Sequence, residues 1–248
     1  MNCNLNKYKH LVKRLICTAF MGLGVYGVVI GQNNAQANFL DTTTVDEKYR
    51  EDQFYVSVTY NLLGRKPQGV SQNGFSGGFH VGFIRDMPIN KARNLAFGLG
   101  LGISTNSYNQ TLLISKETST YQYSLLNNND TPFNKNKFSA YAIELPFEFR
   151  WRTSNPTDYN FWRIYTGFKV SYRFYTASKF KGEAGNIELT NISDFNDFQY
   201  GLMTSIGYSN INIHFYYALN DIFKESATVN NEHIAMNAIK IGLIYYIL

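Results

Sequence analysis

Beyond about residue 53, apolar and polar residues alternate one by one through most of the chain. A period of two marks β-strands, because successive Cβ atoms point to opposite faces. The first stretch sets Phe54, Val56, Val58, Tyr60 and Leu62 against Ser57, Thr59 and Asn61. The second sets Phe75, Phe79, Val81 and Phe83 against Ser76, Gly78, His80 and Gly82. The third alternates Leu95, Phe97, Leu99, Leu101 and Ile103 with Ala96, Gly98, Gly100, Gly102 and Ser104. Further strands are predicted over Tyr141–Arg152, Trp162–Phe174, Phe198–Tyr208, Ile211–Leu219 and Met236–Leu248, making eight. The polar stretches 106–136, 176–196 and 220–235 read as long connections. Arg85–Lys91, Ser154-Asn155-Pro156 and Ser209-Asn210 read as short turns.

Longer connections thus follow the odd strands and shorter ones the even strands. That asymmetry, with an even strand number, is what transmembrane β-barrels show. Most stretches reach the roughly 9–11 residues a spanning strand needs. The competing fold is a soluble barrel with its apolar face turned inward. The polar face decides between them. It carries Gly78, Gly82, Gly98, Gly100, Gly102, Gly167, Gly201, Gly207 and Gly242, which suit a cramped interior better than a watery exterior. The apolar face ends in Trp151, Trp162, Tyr172, Tyr208 and Tyr245, as interfacial girdles do. The expected fold is all-β, an eight-stranded antiparallel transmembrane barrel over residues 53–248, with both termini in the periplasm.

Composition changes this picture only at the N-terminus. Lys7, Lys9, His10, Lys13 and Arg14 precede the apolar run Leu15–Ile30, and Ala35-Gln36-Ala37 follows it. This reads as a secretory signal over residues 1–37, with cleavage after Gly31 as the alternative, and 38–52 as a short periplasmic tail. Removing it takes four of the 23 basic residues and none of the 18 acidic ones, leaving 19 against 18, a net charge of +1. The sequence pI near 9.0 therefore belongs largely to the leader, and nucleic acid drops out as a partner. Cys3 and Cys17 leave with it, so neither disulfides nor cysteine-bound metal are expected.

Few residues point to chemistry. Glu144, Glu148, Arg150, Arg152, Arg163, Lys169, Arg173 and Lys240 all fall on the inward face. Charges inside a barrel are costly unless paired or wet, so a luminal charge network is expected. His80 and His214 also fall inward, with Ser76 and Glu144 as neighbours to consider, while His233 lies in a loop. No spacing ties these into a catalytic or metal-binding set, and no cofactor is expected. Gly98-x-Gly100-x-Gly102 is strand alternation and not a phosphate loop. Tyr108, Tyr121, Tyr123 and Phe133 are open to two readings, a contact surface or part of the rim girdle.

Two resemblances add to this. The last strand carries Lys240-x-Gly242-x-x-Tyr245-x-Ile247, which resembles the C-terminal assembly signal of bacterial outer-membrane barrels, with Leu248 following where that family usually stops. It implies the barrel insertion machinery as a partner. More broadly, Phe54–Leu63, Gly74-Phe75-Ser76-Gly77-Gly78, Phe83–Lys91 (FIRDMPINK), Leu145–Thr153 (LPFEFRWRT), Phe161–Gly167 (FWRIYTG) and Ile239–Leu248 resemble the PorT-like small outer-membrane barrels of Bacteroidetes. That resemblance implies an outer-membrane location and an accessory role in type IX secretion and gliding, with translocon components as partners. The turns Arg85–Arg93 and Arg152–Asn160 are then candidate docking points, with Arg85, Asp86, Pro88 and Lys91 named for contact. A small structural or weakly conducting porin-like barrel, and a lipid-modifying rim enzyme, are the competing readings.

Overall fold

The alternation described above becomes a ring of strands whose two faces meet different solvents. The computed structural model describes residues 52–118, 120–126, 132–153, 161–183 and 185–247. The expected leader 1–37, the tail up to residue 51, the turn at Ser154-Asn155-Pro156 and the terminal Leu248 lie outside these residues.

Eight strands close the ring: β1 (Gln53–Gly64), β2 (Gly77–Pro88), β3 (Leu95–Asn109), β6 (Phe133–Arg152), β7 (Trp162–Gly182), β9 (Phe198–Tyr208), β10 (Ile211–Ala218) and β13 (Asn237–Ile247). Short additions come between them: β4 (Leu112–Glu117), β5 (Thr120–Leu125), β8 (Gly185–Thr190), β11 (Thr228–Val229) and β12 (Glu232–His233). All neighbours in the ring are antiparallel, and β6 pairs with both β3 and β7. The last strand makes the seam, with Val56 opposite Tyr245 on β1 and Ile213 opposite Leu243 on β10. A closed ring leaves no edge strand to aggregate.

The residues of the apolar face point outward. Val58, Leu99, Ile103, Leu145, Leu202, Ile213 and Leu243 are each at least half exposed, as lipid-facing side chains must be. Aromatic rings bracket this aliphatic band. Trp151, Trp162, Tyr208 and Tyr245 stand near the end with the short turns; Tyr60, Tyr141, Tyr172, Tyr200 and Tyr217 stand toward the other. We call these the turn end and the loop end. Ring contacts run between strands within each belt, Trp162 to Tyr208 at 5.7 Å and Tyr141 to Tyr175 at 5.5 Å.

Two predicted loops are partly strand. β7 and its partner β6 continue well past the membrane band, so Thr176–Gly182, expected as loop, extends the wall and pairs with β8. The cause is visible in the residues: Ser178 and Phe180 are buried while Lys179 and Lys181 alternate with them on the outside. Within 106–136, β3 runs on to Asn109 and β4 and β5 form a separate hairpin. The Ser209-Asn210 turn is as expected, with Ser209 in the left-handed region at φ 54°.

The glycines of β3 have a steric reason. A Cβ at Gly98 would lie 2.7 Å from Arg150 Nε and 3.0 Å from Ile84 Cγ2, both fully buried side chains. At Gly100 it would lie 2.7 Å from Ile84 Cγ1 and 2.8 Å from Pro146 Cγ. The glycine stripe is therefore the clearance that lets long side chains from β2 and β6 cross a narrow bore.

Gly98→Val is expected to force Arg150 out of place and to lower the unfolding free energy of the refolded barrel by at least about 1–3 kcal/mol, the usual overpacking cost. Leu99→Val, one residue on and facing lipid, should change it by less than about 1 kcal/mol. Urea titration followed by heat-modifiable gel mobility measures both.

Candidate functional site

Everything polar that the strands turn inward collects in the lumen, in layers set by register. The lowest layer, at the turn end, is an ion cluster. β2 carries Asp86 and β6 carries Glu148, Arg150 and Arg152 on the inner face, all essentially inaccessible. Arg152 grips Asp86 with two parallel bonds, Nη1 to Oδ1 and Nη2 to Oδ2, each 2.9 Å. Arg150 reaches the same carboxylate at 3.1 Å and Glu148 Oε2 at 2.9 Å. Arg152 Nε also donates to the Arg93 carbonyl at 2.9 Å, which ties the cluster to the turn after β2. The Arg150 guanidinium lies 4.6 Å over the Tyr165 ring, and Tyr165 in turn meets Tyr246 edge-on at 5.6 Å. Arg163 donates to the Ser209 carbonyl and lies 4.4 Å over Phe161. Fork-shaped bidentate pairing with further donors satisfied is the geometry that makes buried ion pairs tolerable.

The middle layer is built on Glu144. Its carboxylate takes Lys169 Nζ at 3.2 Å and His80 Nδ1 at 3.1 Å, and His80 Nε2 lies 3.4 Å from Thr59 Oγ1. His214 Nδ1 pairs with Ser205 Oγ at 2.8 Å. Ser76, one of the neighbours considered for these histidines, instead sits at the loop end, where its hydroxyl accepts from the Asn109 amide at 2.9 Å. Two cavities of about 20 Å³ lie beside these side chains, one against His80 and His214, one between Glu144 and the loop end. That is about the volume one water needs.

Above this the loops close the loop end with an apolar plug. Phe138, Phe195 and Phe223 stack at its centre, with centroids 4.6–5.8 Å apart. Leu63, Leu112, Ile114, Ile192, Ile222, Val229, Ile234 and Met236 pack around them. Side-chain amides lock the loops to one another: Asn136 Nδ2 donates to the carbonyls of Gln110 and Leu112, and Asn196 Nδ2 to those of Asp221 and Phe223. Tyr123 donates to Asp194 Oδ2 at 3.0 Å, fastening the β4–β5 hairpin to the 191–197 turn. Burial first, and then the Asp194 carboxylate, push its hydroxyl pKa up.

Placing the sequence-predicted residues gives a mixed outcome. Glu144, Glu148, Arg150, Arg152, Arg163, Lys169 and Arg173 are all buried in the lumen. Asp86 joins them: assigned to the turn as a contact residue, it is fully buried and salt-bridged, and is no docking point. The β2 alternation simply continues through Ile84 and Asp86 on the inner face. Arg85 and Lys91 are exposed, Pro88 is half-buried, and Arg85 lies 3.9 Å from Asp52. Most of the other turn, residues 154–160, lies outside the described residues. On β13, Lys240 and Gly242 face the lumen, while Tyr245 and Ile247 face lipid. Tyr108 is buried in the plug, Tyr121 and Tyr123 pack against it half-buried, and Phe133, also half-buried, sets its ring 6.3 Å from that of Phe180. Tyr165, Tyr216 and Tyr246 are buried in the lumen, on the inward face to which alternation assigns them, and Tyr55, which the sequence reading did not single out, joins them. Among the described residues no group of three His, Cys, Asp or Glu side chains is placed to hold a metal.

Asp86→Asn removes the carboxylate that two buried guanidiniums share, and is expected to cost about 3–5 kcal/mol of stability. Arg85→Ala, breaking a long and exposed pair one residue away, should cost no more than about 1 kcal/mol. Equilibrium urea unfolding of both refolded variants separates the two.

No curated protein matches the chain. Among solved structures it is similar to Ail, the attachment invasion locus protein of Yersinia pestis, at 10% identity and a TM-score of 0.32, covering 79% of this chain and 97% of that one. It is also similar, at 8% identity and a TM-score of 0.20, to a structure described as "Asymmetric conductivity of engineered proteins", covering 80% of this chain and 100% of that one. The family model for the outer membrane protein beta-barrel domain matches residues 31–224. With that match over most of its length and a closed eight-stranded ring, the chain belongs to the outer membrane protein β-barrel domain family, and it sits in the bacterial outer membrane.

Proposed function

We propose that this barrel is a non-enzymatic, non-conducting accessory or assembly component of protein secretion, of the type IX and gliding kind, that works through its end surfaces. The observation that carries the reading is the filled lumen. An ion cluster occupies the turn end, a Glu144-centred layer the middle and an apolar plug the loop end, with free volumes of about 20 Å³ between them. A barrel closed at three levels has only its outer surfaces left for work. The resemblance of its strand and turn segments to PorT-like barrels supplies the pathway.

In this reading both termini and the short turns face the periplasm, and the extended β6–β7 wall with its loops faces outward. The wall supports that orientation. Just past the Tyr141 and Tyr175 belt, Lys135 stands opposite Lys181 and Lys137 opposite Lys179 on the outer face. Glu188 on β8 pairs with Lys179, and phosphate-bearing headgroups of an outer leaflet would offset the rest of the repulsion that like charges directly opposite create in a sheet. Docking to a periplasmic partner then falls to the exposed Arg85 and Lys91 beside the 89–94 turn.

Two experiments test this. The tagged protein, gently extracted from its native outer membrane, is expected to bring down translocon components, and its deletion to abolish export of secreted cargo while other barrels stay intact. Recovery alone together with normal secretion would overturn the secretion role and leave a structural barrel. In planar bilayers the protein is expected to give no channel steps. Phe223→Ala should lose about 3–5 kcal/mol of stability and stay silent, because the ion cluster still blocks the turn end. Regular conductance steps from the wild type would overturn the closed lumen.

A further inference from the structure

The charges buried in the lumen do not balance. Among the described residues, and leaving aside Arg163 with its own contacts at the turn end, Asp86, Glu144 and Glu148 face Arg150, Arg152, Lys169, Arg173 and Lys240, three negative groups against five positive. The excess is not spread evenly. At the turn end Arg150 and Arg152 share carboxylates, and Lys169 has Glu144. Nearer the loop end, Arg173 and Lys240 have neither: among the described residues no carboxylate lies within ion-pair distance of them. Asp197, on the chain segment beside Arg173, keeps its side chain exposed.

Both cations line the same cavity of about 20 Å³, between the Glu144 layer and the plug. Arg173 uses Nη1 on the Ile222 carbonyl at 3.0 Å, but its buried Nε and Nη2 have no hydrogen-bond partner. Lys240 Nζ lies 5.1 Å from the Tyr216 ring centre, with Lys169 and Arg173 as like-charged neighbours and the Glu144 carboxylate as an opposite one outside ion-pair distance. A third donor on the same wall, the buried Gln199 Nε2, is also unmatched. Glu144 borders the cavity too, with its carboxylate already taken by Lys169 and His80.

We propose that this cavity is a binding site for one small inorganic anion of halide size, chloride being the representative case. An anion there accepts from Arg173 and Gln199 at once and supplies the counter-charge that Arg173 and Lys240 lack. A water could accept hydrogen bonds but would leave two buried cations without a counter-charge, which is the costly state. A phosphate or carboxylate needs more than the volume of one water. The site joins β7, β9 and β13, since Arg173, Gln199 and Lys240 come one from each. A bound anion therefore ties the last strand to the wall across the lumen.

Crystals of the full refolded barrel grown in bromide test this directly. An anomalous peak is expected in the cavity, within hydrogen-bond reach of Arg173 Nη2 and Gln199 Nε2. In solution, at constant ionic strength, the urea midpoint of the wild type should be higher in chloride than in gluconate, an anion too large for the site. That difference should vanish in Lys240→Met and in Arg173→Met. A cavity that stays free of bromide overturns the proposal even if neither variant refolds. A chloride effect that persists unchanged in both variants also overturns it, since the effect would then belong to the solvent and not to the site.

Discussion

An eight-stranded ring has a bore that side chains alone can fill, and everything else in this protein answers to that constraint. The outward face is free to be apolar because lipid accepts any apolar shape. The inward face has no such freedom: each long polar side chain needs a partner inside and a gap on the opposite wall. Arg150 has both. Its partners are Asp86 and Glu148, and its gap is the missing Cβ of Gly98. Glycine on β3, acid on β2 and arginine on β6 are thus one arrangement distributed over three strands.

The two ends solve the closure problem by different physics. At the turn end ionic side chains from the walls fill the bore and bond to turn carbonyls, Arg152 to Arg93 and Arg163 to Ser209. At the loop end the connections are long, and they bring their own apolar residues inward as a plug. Only the second solution has a core of the kind found in water-soluble proteins. Loops so packed are held to one another by amide-to-carbonyl bonds from Asn136 and Asn196.

The sequence carried the ring well and its closures poorly. Period-two alternation located all eight spanning strands and the face each residue occupies, because lipid outside and a filled lumen inside both enforce it. Asp86 went astray at a point where a turn signal, Pro88 followed by Asn90, overlapped a strand that had two more residues to run. The extension of β7 was hidden by its composition. Lys179 and Lys181 look like loop residues, and only the buried Phe180 between them betrays a strand. The plug was illegible for a different reason. Ile192, Phe195, Ile222 and Phe223 are isolated apolar residues in polar stretches, and their meeting depends on three loops arriving at one place. No local pattern encodes such a meeting.

The final strand shows how closely the membrane face and the lumen are coupled. β13 sets Tyr245 and Ile247 toward lipid while its alternate residues complete layers begun by other strands. Tyr246 supplies the edge-on partner of Tyr165, Ile244 packs with Tyr55 and Ile84, and Lys240 stands over Tyr216. Met236 and Ala238 finish the plug. Until this strand pairs with both β1 and β10, every one of those layers lacks a member. Closure of the ring and packing of the lumen are therefore a single cooperative step. A C-terminal pattern of inward lysine and glycine with outward tyrosine and isoleucine serves that step twice, once as the face that pairs into lipid and once as the piece that completes the interior.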